Sequence, residues 1–372
     1  MKRRLKEEVG VPQGIIKSAK ELFDKIIYHV KSEGFTEPIK DNLSNTFYIT
    51  TNIQISDLEI KTVMFKINLD FYNIDKIQMI KASFSSPTRT DYSKFVFITQ
   101  KYVNFTDLKL TLALPSGQEF TTKDITDFMV KNSTSIISTI AHELKHAYDA
   151  FKKDTESFSS RIDYAAITNF GAFGLESVKE FFYYLYLATD AEVLVKPTEV
   201  ASRVESGEVN KKEFLNFLLS DKTYHEFSYM FNITYESLFQ SVMEEKDEII
   251  DLFQRSGLSV PNDEKVLFEK LLEYLFIDFV NNKIEILNDM LVENPIEAVF
   301  GFTDSKRKFF EKMATAYSKY SETPTKFFKN EIKRLNFIGE KMIKKLGKLY
   351  VLAKDDTTQS NIIKRIYNKV NR

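Results

Sequence analysis

Residues 132–151 read NSTSIISTIAHELKHAYDAF and carry apolar side chains at every third or fourth position. This spacing follows the period of an α-helix, about 3.6 residues, so the apolar side chains form one continuous stripe. Asn132 and the serine and threonine residues after it are N-cap candidates. The segment therefore predicts a long amphipathic helix with one buried face. The stripe consists of Ile136, Ile137, Ile140, Ala141, Leu144, Ala147 and Phe151.

The residues before this helix alternate between apolar and polar side chains, which is typical of β-strands. The alternation is most regular in residues 65–71 and 108–114, and further β-rich runs occupy residues 46–55, 76–84 and 94–102. No helical pattern long enough for a crossover lies between these runs. We therefore expect a sheet of about five strands, antiparallel or mixed.

The chain after the helix shows helical periodicity almost throughout, so the sequence predicts an α+β fold followed by an all-α extension. Charge divides the extension, since residues 221–300 hold 17 acidic and 6 basic side chains, whereas residues 331–372 hold 4 acidic and 11 basic ones. Such runs are usually solvated helix faces, although a basic tail is also a docking element for an acidic partner. The sequence predicts three domains. The first, residues 1–206, contains the sheet and the long helix. The second, residues 207–322, is acidic and helical, and the third, residues 323–372, is a basic helical tail.

The composition excludes several classes of protein. Of the 372 residues, 43% are hydrophobic and 28% charged, which is enough apolar material for a packed core. The net charge of −1 makes nucleic-acid binding by bulk charge an unlikely function. Because cysteine is absent, disulfides, thiol nucleophiles and cysteine-bound zinc are excluded. No apolar stretch reaches the length of a membrane span, and no secretory signal follows Met1, so we expect a cytoplasmic protein without membrane contact.

Two of the four histidines lie inside the predicted helix, in the sequence His142-Glu143-Leu144-Lys145-His146. This is an H-E-x-x-H motif, which is expected by chance in such a chain roughly three times in a thousand. Positions 142 and 146 are one helical turn apart, so both imidazoles face the same side and can bind one ion, with Glu143 beside it. The competing interpretation is a pair of surface histidines without a metal.

The motif and the order of strands before helix resemble the zincin metallopeptidases. The resemblance implies a Zn²⁺ cofactor, His142 and His146 as metal ligands, and Glu143 as the general base that activates water for peptide hydrolysis. It also implies that the substrate adds to an edge strand of the sheet, for which residues 95–102 and 108–114 are the two candidates. A metzincin would have glycine at 149 and histidine at 152, but this chain has Asp149 and Lys152, which excludes that branch.

A glutamate from a later helix, as in gluzincins, is then the expected third ligand. The candidates are Glu176, Glu180, Glu192 and Glu199. Glu199 is favoured because Pro197 predicts a helix start that would place Glu199 in the first turn, and Glu192 is the second choice. The competing interpretation of Glu199 is a surface carboxylate that stabilises a helix N-terminus.

Residues 182–187 and 199–204 resemble the downstream block of predicted zinc peptidases of tailed phages, in which a tyrosine-rich helix precedes an E-x-x-A-R-type element. Ser202 replaces the usual alanine, and the spacer between the two blocks is longer. Tyr183, Tyr184 and Tyr186 are core aromatics or hydrogen-bond donors to an oxyanion. His225 is expected to be structural.

The sequence therefore predicts a zinc-dependent peptidase that acts on a protein or peptide substrate. The resemblance to phage peptidases suggests a phage-encoded protein that is incorporated in the virion. The alternative is a structural or cargo protein whose zincin core binds zinc but does not cleave.

Overall fold

The computed structural model describes two compact units, each assembled from separate parts of the sequence. The first comprises Met1–Asp154, Leu194–Thr223 and Lys345–Arg372, and the second comprises Thr155–Val193 and Tyr224–Lys344. The three consecutive domains expected from the sequence stay a prediction. The described residues are 11–12, 14–33, 43–54, 60–74, 80–85, 104–115, 120–153, 174–207, 209–293 and 324–354.

The first unit contains a mixed sheet, in which four strands are described: β1 (Leu43–Gln54), β2 (Ile60–Ile74), β3 (Ile80–Ser85) and β4 (Asn104–Pro115). Their order across the sheet is β1-β2-β4-β3. Strands β1 and β2 are antiparallel, β2 and β4 are parallel, and β3 and β4 are antiparallel. The predicted α+β class is confirmed.

Strands β2 and β4 bury the alternate side chains that the sequence predicts. Val63, Phe65, Ile67 and Leu69 on β2 and Leu108, Leu110 and Leu112 on β4 have no exposed surface. Because β4 pairs on both sides, the expectation that residues 108–114 form the edge of the sheet is wrong. Among the described strands the edges are β1 and β3. The predicted strand at 94–102 lies outside the described residues.

Helices cover the apolar face of this sheet. Helix α1 (Ile15–Glu33) packs on β1, on α2 (Thr122–Lys131) and on α3 (Ser133–Lys153), and α3 also packs on β3. Helix α3 is the amphipathic helix predicted from residues 132–151. Its described apolar stripe is buried, as predicted, so the opposite side of α3 faces away from the core. The buried residues are Ile136, Ile137, Ile140, Ala141, Leu144 and Ala147.

Two later segments complete the described part of the first unit. Most of α5 (Asp190–Ser206) and all of α6 (Phe214–Ser220) belong to it. The segment that begins at Lys345 returns to the unit, where Lys354 pairs with the backbone of Val209 and Lys211 over N–O distances of 2.8 and 2.9 Å. These contacts join distant parts of the sequence.

The described part of the second unit is helical and has an aromatic core. Glu245 caps α4 (Glu176–Leu187), accepting hydrogen bonds of 2.7 Å from the backbone N–H groups of Glu176 and Ser177. Phe181 and Phe182 of α4 pack against Phe328 and Phe279. The helices are α4 (Glu176–Leu187), α7 (Lys222–Asn232), α8 (Tyr235–Met243), α9 (Lys246–Arg255), α10 (Glu264–Glu293) and α11 (Pro324–Lys348).

No helix in the described ranges has the combined length and apolarity that a bilayer crossing requires.

Helices α7 and α11 lie close together at Gly339. A Cβ atom at this position would lie 2.5 Å from the backbone nitrogen of Phe231 and 2.7 Å from the backbone oxygen of Phe227. Nearby, the side-chain amide of Asn336 donates to the carbonyls of Met230, Phe231 and Ile233. Only glycine at 339 therefore allows α11 to lie against the end of α7.

We expect Gly339→Ala to destabilise the protein by about 1–3 kcal/mol, because backbone atoms rather than a flexible side chain would have to move. The matched control is Gly347→Ala on the same helix, where no atom lies within 4 Å of the added Cβ. The control should stabilise by about 0.4–1 kcal/mol, since alanine reduces the entropy of the unfolded chain. Urea unfolding monitored by circular dichroism measures both, and equal stability of the two variants would contradict the prediction.

Candidate metal centre

Helix α3 places the imidazole side chains of His142 and His146 next to each other. Nε2 of His142 and Nε2 of His146 are 3.2 Å apart, and the two rings meet edge to face at 74°. The rings lie one turn apart on the side of α3 that faces away from Ile140, Ala141 and Leu144. In a tetrahedral zinc site with Zn–N distances of 2.0–2.1 Å, two ligand nitrogens are about 3.3 Å apart. The spacing of the two histidines therefore fits a shared ion.

A carboxylate joins this pair from the first turn of α5. A carboxylate oxygen of Glu192 and one nitrogen of each histidine all lie within 4.8 Å of one another. Glu192 is only 4% exposed, and its Oε1 accepts a hydrogen bond of 2.5 Å from the hydroxyl of Tyr186. Glu192 lies on the same helix as Leu194–Ser206, the part of α5 that belongs to the first unit. A buried carboxylate beside two imidazoles is the donor set that zinc prefers when cysteine is absent.

Glu199, favoured as the third ligand from the sequence, lies behind His142. Its Oε2 is 3.4 Å from Nδ1 of His142, the nitrogen on the other side of the ring from Nε2. Within the described residues, the group of three that could hold an ion contains Glu192 and not Glu199.

The reason for this difference is the start of α5. Helix α5 begins at Asp190 and contains Pro197 in its interior, so the prediction that Pro197 marks a helix start is wrong. An interior proline removes a backbone hydrogen bond, but Val195, Val200 and Val204 bury one side of the helix across that position. The helix therefore continues through Pro197, and it is Glu192 that lies in the first turn.

The Glu199 carboxyl is held in its ionised form. Burial by itself raises the pKa of this carboxyl, but the ammonium of Lys196, the hydrogen bond with His142 and the guanidinium of Arg203 outweigh burial and hold the pKa well below its usual range. Lys196 Nζ is 3.3 Å from Oε2, and Arg203 Nη1 is 2.5 Å from Oε1. An anion at this place favours the form of His142 that carries its proton on Nδ1, because a negative oxygen 3.4 Å away attracts that proton.

Glu143, predicted as the general base, lies next to the two nitrogens. It is 7% exposed, and its Oε1 is 4.0 Å from Nε2 of His142. A carboxylate at this distance from the ligand point is close enough to act on a water molecule bound between them.

The three tyrosines of α4 make different contacts. The hydroxyl of Tyr183 donates to Glu226 over 2.7 Å, that of Tyr184 donates to Glu180 over 3.2 Å, and that of Tyr186 donates to Glu192. Burial and the nearby Glu180 carboxylate raise the pKa of Tyr184. Tyr186 therefore contacts a residue of the candidate metal centre. His225 is exposed on α7.

No role for Arg203, Asp221 or Thr223 followed from the sequence. Arg203 lies four residues after Glu199, and opposite charges at this spacing on a helix predict an ion pair. Asp221 lies in the turn after α6 and Thr223 lies at the start of α7, and no spacing rule connects either residue with Arg203.

The comparisons with known proteins identify no relative. No protein-family model, no curated protein and no solved structure matches this chain.

Proposed function

We propose that the protein is a zinc-dependent peptidase whose metal ligands are His142, His146 and Glu192. The observation that carries the proposal is the 3.2 Å separation of the two Nε2 atoms, with the buried Glu192 carboxylate in the same group. Two imidazoles and one carboxylate leave a fourth position of a tetrahedral ion open, as in catalytic rather than closed structural zinc sites.

In this proposal Glu143 and Glu199 have different roles in peptide hydrolysis. A zinc ion, when bound, polarises the peptide carbonyl and lowers the pKa of water. Glu143 takes a proton from the attacking water and delivers it to the leaving amine, so no covalent bond to the protein forms. Glu199 keeps the proton of His142 on Nδ1 and thereby directs the lone pair of Nε2 toward the ion.

Strand β3 suggests where a substrate lies. It is an edge among the described strands, and it packs against α3, the helix that carries the three motif residues. An extended peptide can add to such an edge by backbone hydrogen bonds, with its alternate side chains directed to opposite faces. We therefore propose a protein or peptide in extended conformation as the substrate.

Metal binding tests this proposal directly. The purified wild-type protein should bind one zinc per chain, measured by elemental analysis after dialysis, and zinc should raise its melting temperature, because a ligand specific for the folded state stabilises it. His142→Ala should lose both effects. The control is His225→Ala, which removes an exposed histidine and should retain them. A wild-type chain that takes up no zinc, or equal zinc content in both variants, would refute the site.

A further inference from the structure

The side chain of Arg203 connects Glu199 to the turn between α6 and α7. Its Nη1 donates to Oε1 of Glu199, its Nε and Nη2 donate to the two carboxylate oxygens of Asp221 over 2.8 and 2.9 Å, and Nη2 also reaches Oγ1 of Thr223 at 3.0 Å. We propose that Arg203 is a positioning residue, which holds the Glu199 carboxylate against Nδ1 of His142. The meaning of this role for catalysis rests on the proposed function.

The Asp221 end of this arrangement is rigid. The Asp221 side chain is 3% exposed, its Oδ1 also accepts the backbone N–H of Thr223 at 2.9 Å, and its own backbone N–H donates to the carbonyl of Leu218. Two parallel hydrogen bonds from Arg203 to one carboxylate fix the plane of the guanidinium as well as its position. The remaining Nη1 therefore meets Glu199 in one orientation.

The Glu199 end transmits this orientation to the histidine. Arg203 engages Oε1, and the other oxygen, Oε2, lies 3.4 Å from Nδ1 of His142 and 3.3 Å from Nζ of Lys196. A carboxylate at Nδ1 selects the ring form with the proton on Nδ1 and the lone pair on Nε2. Nε2 is the atom that lies 3.2 Å from Nε2 of His146. Three residues thus connect the α6–α7 turn to the ligand atom of His142.

This arrangement requires an arginine at position 203, because a lysine side chain cannot form the same set of hydrogen bonds. The guanidinium engages Glu199, Asp221 and Thr223 at once through donors fixed in one plane, whereas an ammonium is a point charge without that fork. Arg203→Lys therefore keeps the positive charge but should release the Glu199 carboxylate from its fixed orientation. Asp221→Asn, which removes the charge that anchors the guanidinium, should have the same effect from the other end.

The test compares these two variants with Arg255→Gln. Arg255 pairs with Asp251 at the same spacing of four residues, but it is 78% exposed and serves as the control for loss of an arginine pair. The first readout is the tautomer of His142 in the metal-free protein, from nitrogen chemical shifts of ¹⁵N-histidine-labelled samples, assigned with His142→Gln. The second readout is the zinc dissociation constant, measured by competition with a chelator, with cooperative thermal unfolding as the check of folding.

In the wild-type protein and in Arg255→Gln, His142 should carry its proton on Nδ1. Arg203→Lys and Asp221→Asn should show a mixture of tautomers and a zinc dissociation constant raised about 10–100-fold, the range for residues that orient a metal ligand. An unchanged tautomer and unchanged zinc affinity in a folded variant would overturn the proposal. So would loss of cooperative unfolding in both variants, because Arg203 would then hold the unit together instead of positioning the ring. If the wild-type chain binds no zinc, the proposed function fails, but the tautomer still decides the role of Arg203.

Discussion

Glu143→Gln is expected to lower the rate of peptide hydrolysis by about 10²–10⁴-fold while zinc content and melting temperature stay close to those of the wild type. Glutamine keeps the shape of the side chain beside Nε2 of His142 but cannot accept the proton of water. The rate is measured with a library of quenched-fluorescent peptides, followed by mass spectrometry to locate the cleaved bonds. A variant that retains the wild-type rate would contradict the assignment of the general base.

The matched control for this experiment is Glu248→Gln, which removes an exposed carboxylate on α9 and should leave the rate unchanged. One further outcome separates the enzyme from its alternative. If the wild-type protein binds zinc tightly but cleaves no peptide in the library, and Glu143→Gln therefore changes nothing, a zinc-binding structural or cargo protein becomes the better interpretation.

Glu192→Gln is expected to weaken zinc binding more than Glu199→Gln does. Loss of a carboxylate that contacts the ion removes a bond and a charge, so we expect the zinc dissociation constant to rise by more than about 100-fold. Glu199→Gln changes only the partner of Nδ1 of His142 and should raise the dissociation constant by about 10–100-fold. Isothermal titration calorimetry or chelator competition measures both.

The reverse order would return Glu199 to the role of third ligand that the sequence favoured. Glu205→Gln on the same helix is the control for loss of one negative charge, and its zinc affinity should match that of the wild type.

Local patterns were sufficient for the elements of the fold. The stripe from Ile136 to Ala147 predicted α3, because a helical repeat depends only on neighbouring residues. The alternation in β2 and β4 predicted strands for the same reason, but it contained no information on their order. The parallel pairing of β2 with β4, and hence the edge position of β3, depends on connections between distant residues. This is why the sequence left residues 108–114 as one of two candidates for the edge, although β4 pairs on both sides.

In the candidate site, too, some residues could be predicted from local sequence and others depend on the folded structure. His142, Glu143 and His146 were found from the sequence because one turn of helix places them together. The choice between Glu192 and Glu199 depended on where α5 begins, and the usual rule for proline gave the wrong start. Burial of Val195, Val200 and Val204 decides that question, and burial is a property of the folded unit. The contact of Arg203 with Asp221 likewise arises only when two helices pack.

The pairing of Lys354 with Val209 and Lys211 has a consequence for the time at which the first unit is completed. The ribosome makes α3 early, but a segment of the same unit emerges only after the whole second unit has been synthesised. Since domains fold as units during synthesis, the unit that carries the histidines cannot be completed while the nascent chain is short. The candidate metal centre would therefore be completed only after most of the chain has been translated.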